Sequence, residues 1–173
     1  MLVLILAIMA LFTIGFVVLL VDTLKNKLAP AIATPESALQ EIANTLDIQD
    51  GENVMELGCG DARVIKFCAQ KFPKANFVGI DNGIISQAKA HLNTVGMKNI
   101  IIKGSNFTKL TSYNAKKYYL YLLPEALDII WPSLPPESLV VSLEYPITGA
   151  KHIKQVRLKK PTELAHKLFV YRK

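Results

Sequence analysis

Met1–Val21, MLVLILAIMALFTIGFVVLLV, carries no charged side chain, and only Thr13 and Gly15 break its apolar run. A helix of that length measures about 32 Å, close to the hydrocarbon thickness of a bilayer. It has no polar stripe of the kind a core helix turns toward solvent. The next residues, through Ala33, read as a linker in which Pro30 and Pro35 stop a helix from running on into the rest of the chain.

From Thr34 the pattern changes to short apolar runs alternating with segments of helical period. Thr34-Pro35-Glu36-Ser37 reads as a helix start, with Thr34 at the cap and Pro35 in the first helical position of PESALQEIANTLDI. NVMEL, NFVGID, NIIIKG, KYYLYLL and SLVVSLEY read as five strands. ARVIKFCAQKF, GIISQAKAHLNTVG and PEALDIIWPSL read as helices between them. Near-continuous apolar strands alternating with helices predict a doubly wound, mostly parallel α/β sheet buried on both faces. The ending departs from that rhythm. KQVRLKK and KLFVYRK, joined through PTELAH, predict an antiparallel hairpin at the sheet edge. The expected organisation is an anchor at 1–22, a linker at 23–33 and one domain at 34–173.

Charge refines the picture. The chain is basic, net +6, with a share of the basic residues in KHIKQVRLKK and HKLFVYRK. Such a surface suits anionic lipid or a partner with acidic patches; nucleic acid is not expected. A cleavable signal is the rival reading of the first block, with Ala31-Ile32-Ala33 as its cleavage site. No Lys or Arg precedes the run, however, and the run is long for a signal core. Lys25 and Lys27 follow it, which places the domain on the cytoplasmic side or an equivalent one such as a mitochondrial matrix. Cys59 and Cys68 fit neither a zinc site nor a disulfide framework, and no metal is expected.

The candidate chemistry sits after the first strand, where open α/β sheets bind ligands. In ELGCGDAR, Gly58 and Gly60 let backbone approach a ligand. Asp81 ends the second strand about 20 residues on, where a carboxylate can accept both hydroxyls of a ribose. Glu56 discriminates among cofactors: a carboxylate there repels a pyrophosphate and favours a cationic head. Arg63 stands where a dinucleotide fingerprint needs its third glycine, and no G-K-[ST] follows. S-adenosylmethionine, with a sulfonium and an ammonium beside its adenosine, fits these residues better than NAD.

VMELGCGDARV and FVGID resemble the first two motifs of class I S-adenosylmethionine-dependent methyltransferases. That resemblance implies a Rossmann-like sheet of seven strands with the last antiparallel. It implies that Glu56, Gly58 and Gly60 line the methionine end of the cofactor, with Leu57, Cys59 and Asp61 beside them. Asp81 and Asn82 fall to the ribose, and Asn106 to the adenine. The anchor, the Thr-Pro helix start and Leu-Pro-Glu after the fourth strand further resemble the small membrane-anchored protein-lysine methyltransferases. These include those acting on the ATP synthase c subunit and the adenine nucleotide translocase, with bacterial relatives. In them the Thr-Pro segment closes over the cofactor, which implies a role for Thr34. That family has Gly where this chain has Ala62, so the loop is expected to end in helical rather than left-handed backbone here.

The acceptor site is expected beyond the fourth strand, in YYLYLLPEALD. The [DN]-P-P-[YF] pattern that methylates amide or exocyclic amino nitrogens is absent. Glu125 could orient a lysine ammonium, Tyr121 could wall it, and Pro124 shapes the turn, although Glu125 equally suits the first turn of a helix. The reading is a membrane-anchored methyltransferase acting on lysine of a membrane-associated protein. Lipid or small-molecule methylation, and a non-catalytic cofactor-binding module, remain open beside it.

Overall fold

The computed structural model describes residues 1–25, 32–110 and 113–173. Lys27, Pro30 and the rest of the linker between them lie outside the described residues. Helix α1, Leu2–Lys25, runs past the apolar block, and its Leu2–Val21 stretch is long and apolar enough to cross a membrane. None of that stretch is buried against the rest of the protein.

The remaining elements build one seven-stranded sheet in the order β3-β2-β1-β4-β5-β7-β6. Its strands are β1 (Asn53–Leu57), β2 (Asn76–Asp81), β3 (Ile100–Gly104), β4 (Lys117–Leu120), β5 (Leu139–Leu143), β6 (Lys154–Thr162) and β7 (Ala165–Arg172). The first five pair in parallel; β7 runs antiparallel to both β5 and β6. The expected edge hairpin is therefore present, with a turn at Glu163-Leu164 tighter than the PTELAH spacing suggests.

Both faces of the strands are apolar, yet the period of two still sorts them. Val54, Phe77, Tyr119 and Val141 point to the face covered by α2 (Leu39–Leu46), α3 (Arg63–Lys71) and α4 (Ile84–Asn93). Met55, Leu57, Tyr118, Leu120 and Val140 point to the opposite face, where α5 (Pro124–Ile130) packs. Among the described residues, only a 3₁₀ turn at Phe107–Lys109 lies between β3 and β4 on that side. The outer strands there stay partly open, and Ile101 is 56% exposed.

Two local expectations are corrected. Thr34 does not cap a long helix. The chain enters a 3₁₀ turn, Glu36–Ala38, and only then α2; the Thr34 hydroxyl is instead paired with the Tyr119 hydroxyl at 2.8 Å. A buried polar partner on the sheet outcompetes the local cap. Ala62 does not enter helical backbone: it sits at φ 62°, ψ 22°, the left-handed region that glycine ordinarily fills. Its N–H donates to the Cys59 carbonyl at 2.7 Å and its side chain is fully buried. The tight turn dictates the conformation, and alanine tolerates it at a cost of about 1 kcal/mol.

At the opposite margin of the sheet the buried Lys117 side chain donates to the Asp47 carbonyl and pairs with Glu52 at 2.8 Å. A cation thereby meets the C-terminal end of α2 and fastens that helix to β4. Burial pushes the Glu52 carboxyl up, but the Lys117 bond, the Gln49 N–H and the Lys117 and Lys116 charges outweigh it and hold it below the ordinary value. The stabilisation is present above that ordinary value and is lost as pH falls through the depressed one. Lys117→Ala is expected to lower unfolding free energy by roughly 2–3 kcal/mol, read by urea denaturation.

Candidate functional site

The loop that leaves β1 is bent back over the end of β2. The N–H groups of Gly58 and Cys59 both donate to the Ile80 carbonyl, at 2.8 and 3.0 Å. Gly58 takes φ 74°, and a Cβ there would meet Leu122 at 2.7 Å. Gly60, at φ 54°, has nothing within 4 Å of the Cβ position, so the backbone itself forms the wall of the cleft. Asp81 holds this arrangement. One of its oxygens accepts from Gly60 N–H and the other from Gly83 N–H, both at 2.8 Å. The carboxylate thus ties the glycine loop to the start of α4.

A cleft of about 160 Å³ opens above the loop. Thr34, Glu56, Gly58, Cys59, Gly60, Asp61, Asp81 and Tyr121 all line it, as does Ile32-Ala33 before Thr34. Leu57 is fully buried in the core beneath instead. Asn82, Asn106, Pro124 and Glu125 are not among its lining residues. The Asn106 side-chain oxygen caps the turn that follows, accepting from the Thr108 N–H and hydroxyl. Pro124 and Glu125 open α5, and Glu125 is exposed.

Sequence reasoning missed five lining residues: Ile32 and Ala33 ahead of Thr34, and the side chains of Arg63, Ser86 and Lys89. Arg63 was weighed only as a missing glycine. Its guanidinium grips both oxygens of Asp61, at 2.6 Å for the shortest contact, and donates to the Thr34 carbonyl at 3.2 Å. It thereby fastens the Ile32–Thr34 strap across the cleft, with Tyr119 holding the same strap from below. Ser86 and Lys89 reach the cleft from α4. Their signal was present: both lie on the first turns of the helix that follows the acidic strand end.

The electrostatics point one way. Glu56, on β1 between Gly79 and Tyr119, is buried, and one carboxylate oxygen has no hydrogen-bond partner. Burial first, then the charges of Asp61 and Asp81, push its pKa well above the ordinary value; the Ile65 N–H and Arg63 pull the other way. Asp61 is held low, chiefly by its Arg63 hydrogen bond. Three carboxylates converge on one small cleft, and the most buried is the least compensated. A cation placed there relieves the repulsion, whereas a phosphate would add to it. Burial, with the Glu56 and Asp81 charges, also drives the Cys59 thiol far up, so it is no nucleophile.

No protein-family model matches the chain. A protein-lysine N-methyltransferase of Saccharolobus islandicus is 29% identical over 150 residues, 82% of this chain and 92% of that protein. Among solved structures, an RNA methyltransferase from Salinibacter ruber in complex with S-adenosyl-L-homocysteine aligns with a TM-score of 0.73 at 20% identity. It covers 82% of this chain and 93% of its own. An N-methyltransferase from Bradyrhizobium japonicum aligns at 0.62 and 14% identity, over 79% and 94%. The chain has the class I S-adenosylmethionine-dependent methyltransferase fold. The donor set of the cleft fits S-adenosylmethionine: a buried carboxylate with one partnerless oxygen for a cationic head, open backbone at Gly60, and a second carboxylate at the end of β2.

Glu56→Gln tests this in two ways. Titration calorimetry should show S-adenosylmethionine affinity falling about 10- to 100-fold, the worth of a charge-assisted bond. In the parent chain affinity should rise with pH, with proton release, because the cation selects the ionised carboxylate. Stability should move oppositely. The parent's raised pKa makes the folded state hold its proton, so stability falls as pH climbs above the ordinary 4.5. The variant should therefore melt higher than the parent at neutral pH, with the gap closing toward acid.

Proposed function

We propose that this chain is an S-adenosylmethionine-dependent methyltransferase, anchored through α1, that methylates a lysine of a membrane-associated protein. The observation that carries the cofactor part is the uncompensated Glu56 carboxylate in a cleft of three. The lysine reading draws on the likeness to the archaeal lysine methyltransferase, and the membrane reading on the length and apolarity of Leu2–Val21.

The cofactor supplies an activated methyl group, leaving the protein chiefly to bind and align. Glu56 holds the cationic end. Asp81 keeps the loop closed and has lone pairs left for hydroxyl donors. The Arg63-fastened strap covers the cleft and excludes water. Tyr121, just beyond β4, is the acceptor-side residue. Its hydroxyl donates to the Leu164 carbonyl at 2.6 Å, which fixes the ring at the rim. Burial, with Tyr145 and Glu144 nearby, pushes that phenol up to about 12, so it stays neutral and offers an aromatic face rather than a base. The acceptor amine then sheds its proton to water, and turnover rises with pH.

Membranes carrying the chain, incubated with methyl-labelled donor, should show a labelled protein band whose modified residue is methyl-lysine by mass spectrometry. Label confined to lipid or small molecules would sink the lysine assignment, and donor binding without label would leave a binding module. Tyr121→Ala should cut turnover about tenfold, more than it weakens donor binding, the range of a cation–aromatic contact. Glu125→Ala, altering an exposed side chain off the cleft, should stay within about twofold, as a helix-end charge would.

A further inference from the structure

The charge of this protein is unevenly placed. Lys151–Lys173 holds six Lys, two Arg and one Glu, a net +7, which leaves −1 for the other 150 residues. Most of that excess lies along one line, the edge strand β6 and the residue block before it. Lys151, Lys154, Arg157, Lys159 and Lys160 are all exposed. Among the described residues none of the five forms an ion pair. No carboxylate lies on β6 itself; Glu163 follows it in the turn.

Lysine on an edge strand ordinarily blocks pairing with other chains. That role does not require five cations. The opposite edge, β3, has the sequence IIIKG and manages with Lys103 alone, even with Ile101 exposed. Pro161 near the end of β6 already interrupts its hydrogen-bonding edge. The number and alignment of the cations on β6 call for a partner.

Position says which. β6 lies parallel to β5, so its Lys159-Lys160 end reaches the same sheet margin as the loop after β1. The Ser37 hydroxyl donates to the Lys160 carbonyl at 3.0 Å, and Tyr121 to Leu164 in the adjoining turn. The chain arriving from α1 thus passes along the cleft at Ile32–Thr34 and is clipped to the basic strand three residues later. Six residues lie between Lys25 and Ile32, a reach of at most about 25 Å. If α1 spans a bilayer, the basic end of β6 cannot stand far from its surface. Polybasic segments in that position are drawn to anionic headgroups over roughly a Debye length.

We propose that the exposed basic edge Lys151, Lys154, Arg157, Lys159 and Lys160 seats on anionic lipid headgroups of the membrane that α1 enters. The contact turns the cofactor cleft toward the membrane surface rather than leaving the domain free on its tether. This rests on the reading of α1 as a membrane span. The chemistry recognised is a surface of phosphate monoanions, not one particular lipid.

The test uses the full chain in lipid nanodiscs, with Gln155→Cys carrying an environment-sensitive fluorophore; Cys59 and Cys68 are buried and stay unlabelled. Discs of phosphatidylcholine are compared with discs holding about a third phosphatidylglycerol. The expected result is a blue-shifted emission in the anionic discs only. Salt at about 0.5 M should remove it. So should Lys154→Glu, Arg157→Glu, Lys159→Glu and Lys160→Glu together, while S-adenosylmethionine affinity is kept. Equal emission in both discs overturns the docking. A shift produced by single-stranded RNA but not by anionic lipid also overturns it, and assigns the edge to nucleic acid. Alkaline carbonate extraction separates the two readings: release of the chain from membranes sinks the anchor and the docking together, whereas retention without an emission change sinks the docking alone.

Discussion

The cleft depends on what Asp81 does with its two oxygens. By accepting from Gly60 and Gly83 it joins the loop after β1 to the entrance of α4, two segments that sequence separates by more than twenty residues. Without that clasp the glycines would be free to take many conformations, since nothing on their own side chains restrains them. With it, the backbone of the loop becomes a rigid wall, and Ser86 and Lys89 are delivered to the same space. The left-handed Ala62 belongs to the same constraint: the turn must close within a few residues of the clasp, and the residue at its end accepts the strain.

A second layer is built on the first. Arg63 leaves the loop, grips Asp61, and reaches the Thr34 carbonyl, while Tyr119 takes the Thr34 hydroxyl from β4. The segment that emerges from the N-terminal helix is in this way made part of the cleft. The approach to the domain and the cleft are not separable modules; they share Ile32, Ala33 and Thr34.

The strands and the glycine loop were legible because their signals are local. Short apolar runs bounded by turn residues fall close to the observed strands, and β2 falls on NFVGID to the residue. Glu56, Gly58, Gly60 and Asp81 were legible because their spacing on a strand–loop–helix unit has few uses. What escaped was set by contacts between distant segments. The Thr34 hydroxyl looked like a cap because its partner Tyr119 lies 85 positions away. Ala62 looked helical because intrinsic preference says so, and the turn overrode it. Arg63 looked like a missing glycine, since nothing in the order of residues reveals a guanidinium spanning to a strap 29 positions upstream. Asn106 resembles an adenine contact in sequence, and the structure uses its side-chain oxygen locally, for Thr108.

Glu56 has a consequence for the protein as a cellular population. A carboxylate buried beside two others penalises the fold for as long as no cation reaches it. A ligand that binds only the folded state removes that penalty and adds its own mass-action stabilisation. The unfolded fraction is what proteases consume. A cationic ligand of this cleft would therefore slow the clearance of the chain, and its withdrawal would speed it.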